Sequence, residues 1–177
     1  ALRRAAGMPG SDLLSRFLWQ RLGAERDAFI VVDRPSSECF SGGIAVTLRD
    51  LARLGELLRC AGARDGAQIV PASFVEDLHR ADSNAAQWPP GGSFRSAFHV
   101  LGDVSTPTPP TLVCNGRFGQ WLWVAPRSEV VIAVLSSLSG PPPSSMDPKI
   151  AALCGTITAG FHTRPPTTAR GLGAARR

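Results

Sequence analysis

From Asn115 to Ser137 the chain reads Asn-Gly-Arg-Phe-Gly-Gln-Trp-Leu-Trp-Val, then Ala-Pro-Arg-Ser, then Glu-Val-Val-Ile-Ala-Val-Leu-Ser-Ser. These are two β-rich runs around a turn, and the hairpin they predict limits what the rest of the chain can be. Pro126 presets φ for the second position of a type I turn, which Arg127 and Ser128 can complete. Side chains alternate along a strand, so Phe118, Leu122 and Val124 share one face while Trp121 and Trp123 share the other. On the return run Val131, Ala133 and Leu135 oppose Val130, Ile132 and Val134. With both faces apolar, the hairpin belongs inside a sheet that is covered on both sides.

The beginning of the first run is more polar. Gly116 and Gly119 have no side chains and would let another backbone or a ligand come close, and Gln120 offers an amide beside them. A twist or bulge relieved by glycine is the structural alternative.

A chain of 177 residues is long enough for one domain with a core. No apolar run approaches the roughly 20 residues of a spanning helix, so no membrane span is expected. The first residues, Ala-Leu-Arg-Arg-Ala-Ala-Gly-Met-Pro-Gly, contain no signal-peptide core. The chain is expected to begin inside a longer reading frame, which leaves the compartment unread. The net charge of +5 comes almost wholly from arginine, since Lys149 is the single lysine. Tyrosine is absent, no aromatic interleaves the basic tail, and no zinc-finger or RNP pattern occurs, so no nucleic-acid partner is expected. Cys39, Cys60, Cys114 and Cys154 form no C-x-x-C and have no paired histidines, which makes them free thiols with no metal site.

Taken in order, residues 1–7 resemble the last turn of a helix. Ser11 and Asp12 then cap a second helix whose stripe is Leu13, Leu14, Phe17, Leu18 and Leu22. Phe29–Asp33 is a short strand, and Gly42-Gly43 a tight turn. Thr47 and Asp50 have capping-box character ahead of a helix that carries Leu48, Leu51, Ala52, Gly55 and Leu58 and stops at Gly62. After turn residues 64–67, Pro71 starts another helix, with Ser73 and Glu76 at capping-box spacing. Residues 82–110 read as a packed loop, with a strand from Phe94 to Leu101. A last helix, from about Asp147 to Phe161, places Ile150, Leu153, Cys154 and Ile157 on one face. Residues 162–177 read as a disordered basic tail, leaving 1–161 as the folded part.

Four segments in this order carry a resemblance: Leu18–Ala28, Gly42–Gly55, Ile69–Val75 and Gly116–Gln120. Together they resemble the C-terminal part of the serine β-lactamase superfamily, nearest the branch of class C-like enzymes, 6-aminohexanoate-dimer hydrolases, esterases and D-Ala-D-Ala carboxypeptidases. The resemblance implies an α/β fold of the α+β type, with a largely antiparallel sheet and helices packed on it. It also implies hydrolysis of a small-molecule amide or ester through an acyl-serine, with no cofactor. In that chemistry a Ser-x-x-Lys motif supplies nucleophile and base, a Tyr-x-Asn or Ser-x-Asn element assists proton transfer, and a strand carrying a third motif lines the site.

By resemblance, Gly116, Arg117, Phe118, Gly119, Gln120 and Trp121 are the substrate-binding and oxyanion wall, with main-chain amides near Gln120 and Trp121 as donors. Phe118 stands where relatives often carry Lys or His, and Arg117 could meet a substrate carboxylate. The only lysine has Met146 three residues before it, so the chain contains no Ser-x-x-Lys, and without tyrosine it contains no Tyr-x-Asn. The catalytic Ser, Lys and Tyr are therefore expected upstream, in a missing N-terminal half. The alternative is a non-catalytic remnant or binding module of the same fold. His79, His99 and His162 have no motif linking them to a serine and an aspartate, and each reads as a surface or satisfied core residue.

Overall fold

The computed structural model describes residues 2–34, 37–80, 92–102, 110–139 and 147–162. Helix α1 (Leu2–Ala6) ends at a left-handed Gly7, as its sequence predicts. Helix α2 (Gly10–Leu14) continues into a π-helical turn over Ser15–Trp19. That wider turn rotates the expected stripe, so Phe17 faces solvent while Leu22 is fully buried. The predicted cap is also replaced. Pro9 takes the N-cap position, and the carboxylate of Glu38 accepts hydrogen bonds from the amides of Gly10 at 2.9 Å and Ser11 at 2.7 Å.

Strands β1 (Phe29–Ile30) and β2 (Ile44–Ala45) form a small antiparallel ribbon. Helix α3 (Leu48–Arg59) starts at Thr47, whose hydroxyl accepts from Asp50 N at 3.1 Å and donates to Asp50 Oδ2 at 2.7 Å. The side-chain cap forms, but the aspartate carboxylate accepts from the Thr47 hydroxyl rather than from its backbone N–H as a full capping box would require. A hairpin of β3 (Ala63–Arg64) and β4 (Ala67–Gln68) leads to α4 (Ala72–Leu78). Pro71 is the N-cap of α4 without a side-chain hydrogen bond, so the Ser73–Glu76 box does not form. Both residues already lie inside the helix.

The main sheet is antiparallel, and its spatial order follows the sequence: β5 (Gly92–Arg95), β6 (Phe98–Leu101), β7 (Thr111–Gly116), β8 (Gln120–Ala125) and β9 (Val130–Val134). The single strand expected over Phe94–Leu101 is instead two, because Ser96 and Ala97 both take positive φ and reverse the chain. The turn at Pro126–Ser128 closes on a left-handed Glu129 and sets the register Ala125↔Val130. One face of the sheet packs Val100, Leu112, Leu122 and Val124 against Leu58 of α3 and Val75 and Leu78 of α4. The other packs Val113, Trp121, Trp123, Ala125 and Val130 against Cys154 of α5 (Pro148–His162). The two-sided burial read from the hairpin is what forms, because α3 with α4 and α5 cover opposite faces.

Helix α5 presents only part of the expected face, with Ile150 and Cys154 packed against the sheet and Ile157 partly exposed. Leu153 is 60% exposed, and Thr158 is buried in its place. The indole of Trp123 donates to Thr158 Oγ1 at 3.1 Å, and that hydroxyl donates to Cys154 O at 2.8 Å. A buried indole N–H needs an acceptor, and this requirement turns Thr158 toward the sheet. Of the disordered tail expected at 162–177, His162 is instead the last residue of α5, and 163–177 lie outside the described residues, as do residues 82–91 and 103–109 of the expected packed loop.

Candidate functional site

The six residues nominated as a site wall are brought together, but in a turn rather than along one strand. Strand β7 ends at Gly116, Arg117–Gly119 form one 3₁₀ turn, and β8 begins at Gln120, with Asn115↔Trp121 and Gly116↔Gln120 in register. The reversal comes from two successive left-handed residues, Phe118 at φ 62° and Gly119 at φ 84°. A run of glycine and polar residues with no alternation of its own left this turn hidden in the sequence. Phe118 consequently does not extend the Leu122–Val124 face; it stands exposed at the tip of the turn.

The turn is tied to the segment that follows β9. The Gln120 side chain donates through Nε2 to Ser136 O at 2.6 Å and accepts from Ser136 N at 3.0 Å, imitating a pair of ladder hydrogen bonds. Leu138 N donates to Phe118 O at 3.1 Å. A Cβ placed on Gly119 would lie 2.8 Å from Leu138 Cδ1 and 3.1 Å from Ser136 Oγ. The close approach that Gly119 permits is therefore made by the chain's own 136–138 segment. Gly119→Val should cost about 2–3 kcal/mol, combining left-handed strain with local overpacking. The check is a urea titration, in which a midpoint equal to that of the parent would contradict this reading.

Backbone availability differs along the wall. Trp121 sits between Asn115 of β7 and Val134 of β9, and an antiparallel strand residue directs its N–H to one neighbour or the other. With partners on both sides, the Trp121 amide is used within the sheet. Strand β7, by contrast, pairs with β8 as far as Gly116, while its described ladder to β6 stops at Val113↔His99. Among the described residues, Asn115 and Gly116 therefore extend past β6; a Cβ on Gly116 would lie 3.1 Å from Gln120 Cβ, so the glycine there accommodates its cross-strand neighbour.

One partly buried polar pair holds Asn115 in place. His99 Nε2 lies 2.8 Å from Asn115 Oδ1, and since that oxygen can only accept, Nε2 carries the proton. The imidazole also meets the Phe94 ring edge-on, with centroids 5.1 Å apart. Burial pushes the His99 pKa down, against the opposing effect of its bond to Asn115, so the ring is neutral at pH 7. The reading of His99 as a core residue holds. Its partner was hidden because 16 residues separate the two. On the opposite face, Asp77 of α4 receives two hydrogen bonds from the Arg95 guanidinium of β5, at 2.9 and 2.6 Å, and its carboxyl is held low by them. Arg117 contributes its backbone to the turn; its side chain lies outside what is described.

Among the described residues, no three His, Cys, Asp or Glu side chains gather in a metal-holding group, and no helix is long and apolar enough to cross a membrane. The four cysteines are free, with Cys154 buried and Cys39 exposed.

Comparison with known proteins matches residues 1–155 to the beta-lactamase family model. The chain belongs to the beta-lactamase family. A curated relative, the 6-aminohexanoate-dimer hydrolase of Paenarthrobacter ureafaciens, is 33% identical over 153 residues, which is 79% of this chain and 36% of the relative. Among solved structures, a Bacillus anthracis protein assigned as a 6-aminohexanoate-dimer hydrolase superposes with a TM-score of 0.73 at 26% identity. That superposition covers 91% of this chain and 40% of the other. A Bacteroides dorei protein assigned as a beta-lactamase shares the fold, with a TM-score of 0.62 at 18% identity over 89% of this chain and 54% of that one. This beta-lactamase family chain thus spans a little over a third of the length of the curated relative. The family match takes in the whole five-stranded sheet and the Asn115–Trp121 turn.

Proposed function

We propose that this chain forms one wall of the acyl-transfer site of a serine hydrolase that cleaves a small-molecule amide or ester, with the Ser, Lys and Tyr of the covalent steps lying outside it. On this reading, residues 1–161 are the C-terminal part of the catalytic domain. The observation that carries the proposal is the projection of Asn115 and Gly116 beyond β6, next to a turn pinned by Gln120 and Leu138, in a chain matched to the family over residues 1–155.

The chemistry assigns this wall a specific task. A serine hydroxyl attacks the scissile carbonyl, the lysine amine takes its proton, and negative charge develops on the carbonyl oxygen. Backbone N–H groups directed at that oxygen stabilise the charge most when they are fixed in advance. The Asn115–Gly116 edge is fixed on one side by the ladder to β8 and by His99 through the Asn115 side chain. Gly116 is exposed at the end of β7. Departure of the amine or alcohol leaves an acyl-serine, which water then hydrolyses.

The 177-residue chain alone should not hydrolyse a p-nitrophenyl ester, a chromogenic β-lactam or the linear dimer of 6-aminohexanoate above background. Intact mass after a fluorophosphonate probe should show no adduct on it. The same probe should mark one serine of the complete protein, within a Ser-x-x-Lys. A stoichiometric adduct on any serine of residues 1–177 would overturn the assignment. The absence of Ser-x-x-Lys and of tyrosine from this chain favours a second reading, a non-catalytic binding module. Failure of the complete protein to form any adduct would select it.

A further inference from the structure

We infer that Phe118 and Leu138 form an apolar shelf beside the open β7 edge, and that it receives the hydrocarbon chain attached to the substrate's scissile carbonyl or its leaving group. The shelf selects amides and esters with unbranched apolar substituents over short ones. Its place beside the reacting carbonyl rests on the acyl-transfer reading above.

Three observations converge on it. The first is that Phe118, 44% exposed, is held at a left-handed φ of 62° that a bulky side chain rarely adopts. Leu138 N, donating to Phe118 O, fastens the carbonyl side of that residue, and the reversal at Gly119 follows directly, so the ring is carried on a backbone that cannot simply relax. Strain retained by surrounding structure at the edge of a candidate site is where a functional contact is to be sought.

The second observation is Leu138 itself. Its side chain lies over Gly119, close enough that a Cβ there would meet Leu138 Cδ1 at 2.8 Å, yet it remains 43% exposed. The two tied segments thus offer an aromatic and an aliphatic side chain to solvent on either side of a glycine.

The third is that the Gln120 side chain, where the turn passes into β8, is already used. Gln120 spends both ends of its amide on Ser136. Beside it Phe118 and Leu138 present apolar surface. Arg117 alone separates Gly116 from Phe118 along the chain, so a carbonyl seated on that edge lies within two residues of Phe118.

The test is binding, which does not depend on the catalytic residues. The 177-residue chain, labelled with nitrogen-15, is titrated with N-hexylacetamide and with acetamide while backbone amide shifts are followed. N-hexylacetamide should perturb the amides of Gly116, Phe118–Trp121 and Leu138 and half-saturate at a concentration at least about tenfold below that of acetamide, as expected from burying several methylenes. Phe118→Asn keeps a residue tolerant of the left-handed region while removing the ring, and should erase most of that preference. Leu138→Ser should do the same from the other segment. Equal half-saturation by the two amides overturns the shelf, as do shifts confined to the exposed outer face of α5. Those results would mean that the apolar side chains are there to be covered by polypeptide. If one variant unfolds, the other and the comparison on the parent chain still decide. The two proposals also fail separately: a complete protein that forms no serine adduct loses the hydrolase reading, while the amide titration alone tells whether the shelf binds hydrocarbon.

Discussion

Asp50→Ala should lower the unfolding free energy of this chain by about 3–5 kcal/mol, the largest polar effect expected here. Asp50 is fully buried at the start of α3. Its carboxylate accepts from Glu25 N at 2.8 Å, Arg26 N at 3.3 Å, Thr47 Oγ1 at 2.7 Å and Arg53 Nη1 at 2.8 Å. Arg53 also reaches Glu25, so the loop at 25–26 is fastened to the helix through one carboxylate. Alanine would orphan two backbone amides in that loop and remove half of the α3 cap. Urea denaturation measures the loss, and a midpoint within error of the parent would contradict the clasp.

The same site predicts the direction of a pH effect. Burial acts to raise the Asp50 pKa, but the hydrogen bonds from Glu25, Thr47, Arg53 and Arg26 outweigh it and hold the carboxyl below its ordinary value. A carboxyl with a lowered folded pKa contributes its stability fully above the unfolded value of about 3.9, and loses it as pH falls through the folded value. The stability difference between the parent and Asp50→Asn should therefore be constant near neutrality and shrink under acid. A gap that widened between pH 4 and pH 2 would reverse the sign and refute the account.

Gly55→Val should be at least as damaging, costing about 3 kcal/mol or more and lowering Tm by on the order of 10 °C. Gly55 is where α3 lies closest to the sheet. A Cβ there would sit 2.5 Å from Val131 Cγ1 and 2.8 Å from Leu122 Cδ1, both anchored in strands that form one wall of the core. The gain in helix propensity on leaving glycine, about 0.5 kcal/mol, cannot offset moving a helix off a sheet. Gly155 of α5 is the control, because a Cβ there would meet nothing within 4 Å. Gly155→Ala should stabilise by about 0.5–1 kcal/mol. Calorimetry of the two variants separates a packing glycine from a merely tolerated one, and equal Tm shifts would show that the helix–sheet contact is misassigned.

What the sequence determined by itself was whatever depends on spacing along the chain. The alternation through Leu122, Trp123 and Val124 and its mirror from Val130 to Val134 fixed the opposite faces of β8 and β9, and the 3.6-residue period with Thr47 ahead of it fixed α3. Four ordered segments likewise identified the family and drew attention to Gly116–Trp121. Tertiary structure decided the rest, wherever a polar group or a close contact had to find a partner far along the chain. Glu38 caps a helix 28 residues earlier, Asp50 holds a loop 25 residues earlier, and Trp123 turns Thr158 inward from 35 residues away. At the site, local pattern suggested a strand with an available glutamine and an open glycine. The fold instead made a turn, because Leu138 and Ser136 fill the space at Gly119 and consume the Gln120 amide. Periodicity records which side of an element is apolar; which donor meets which acceptor is settled only when elements distant in sequence are brought to within about 3 Å of one another.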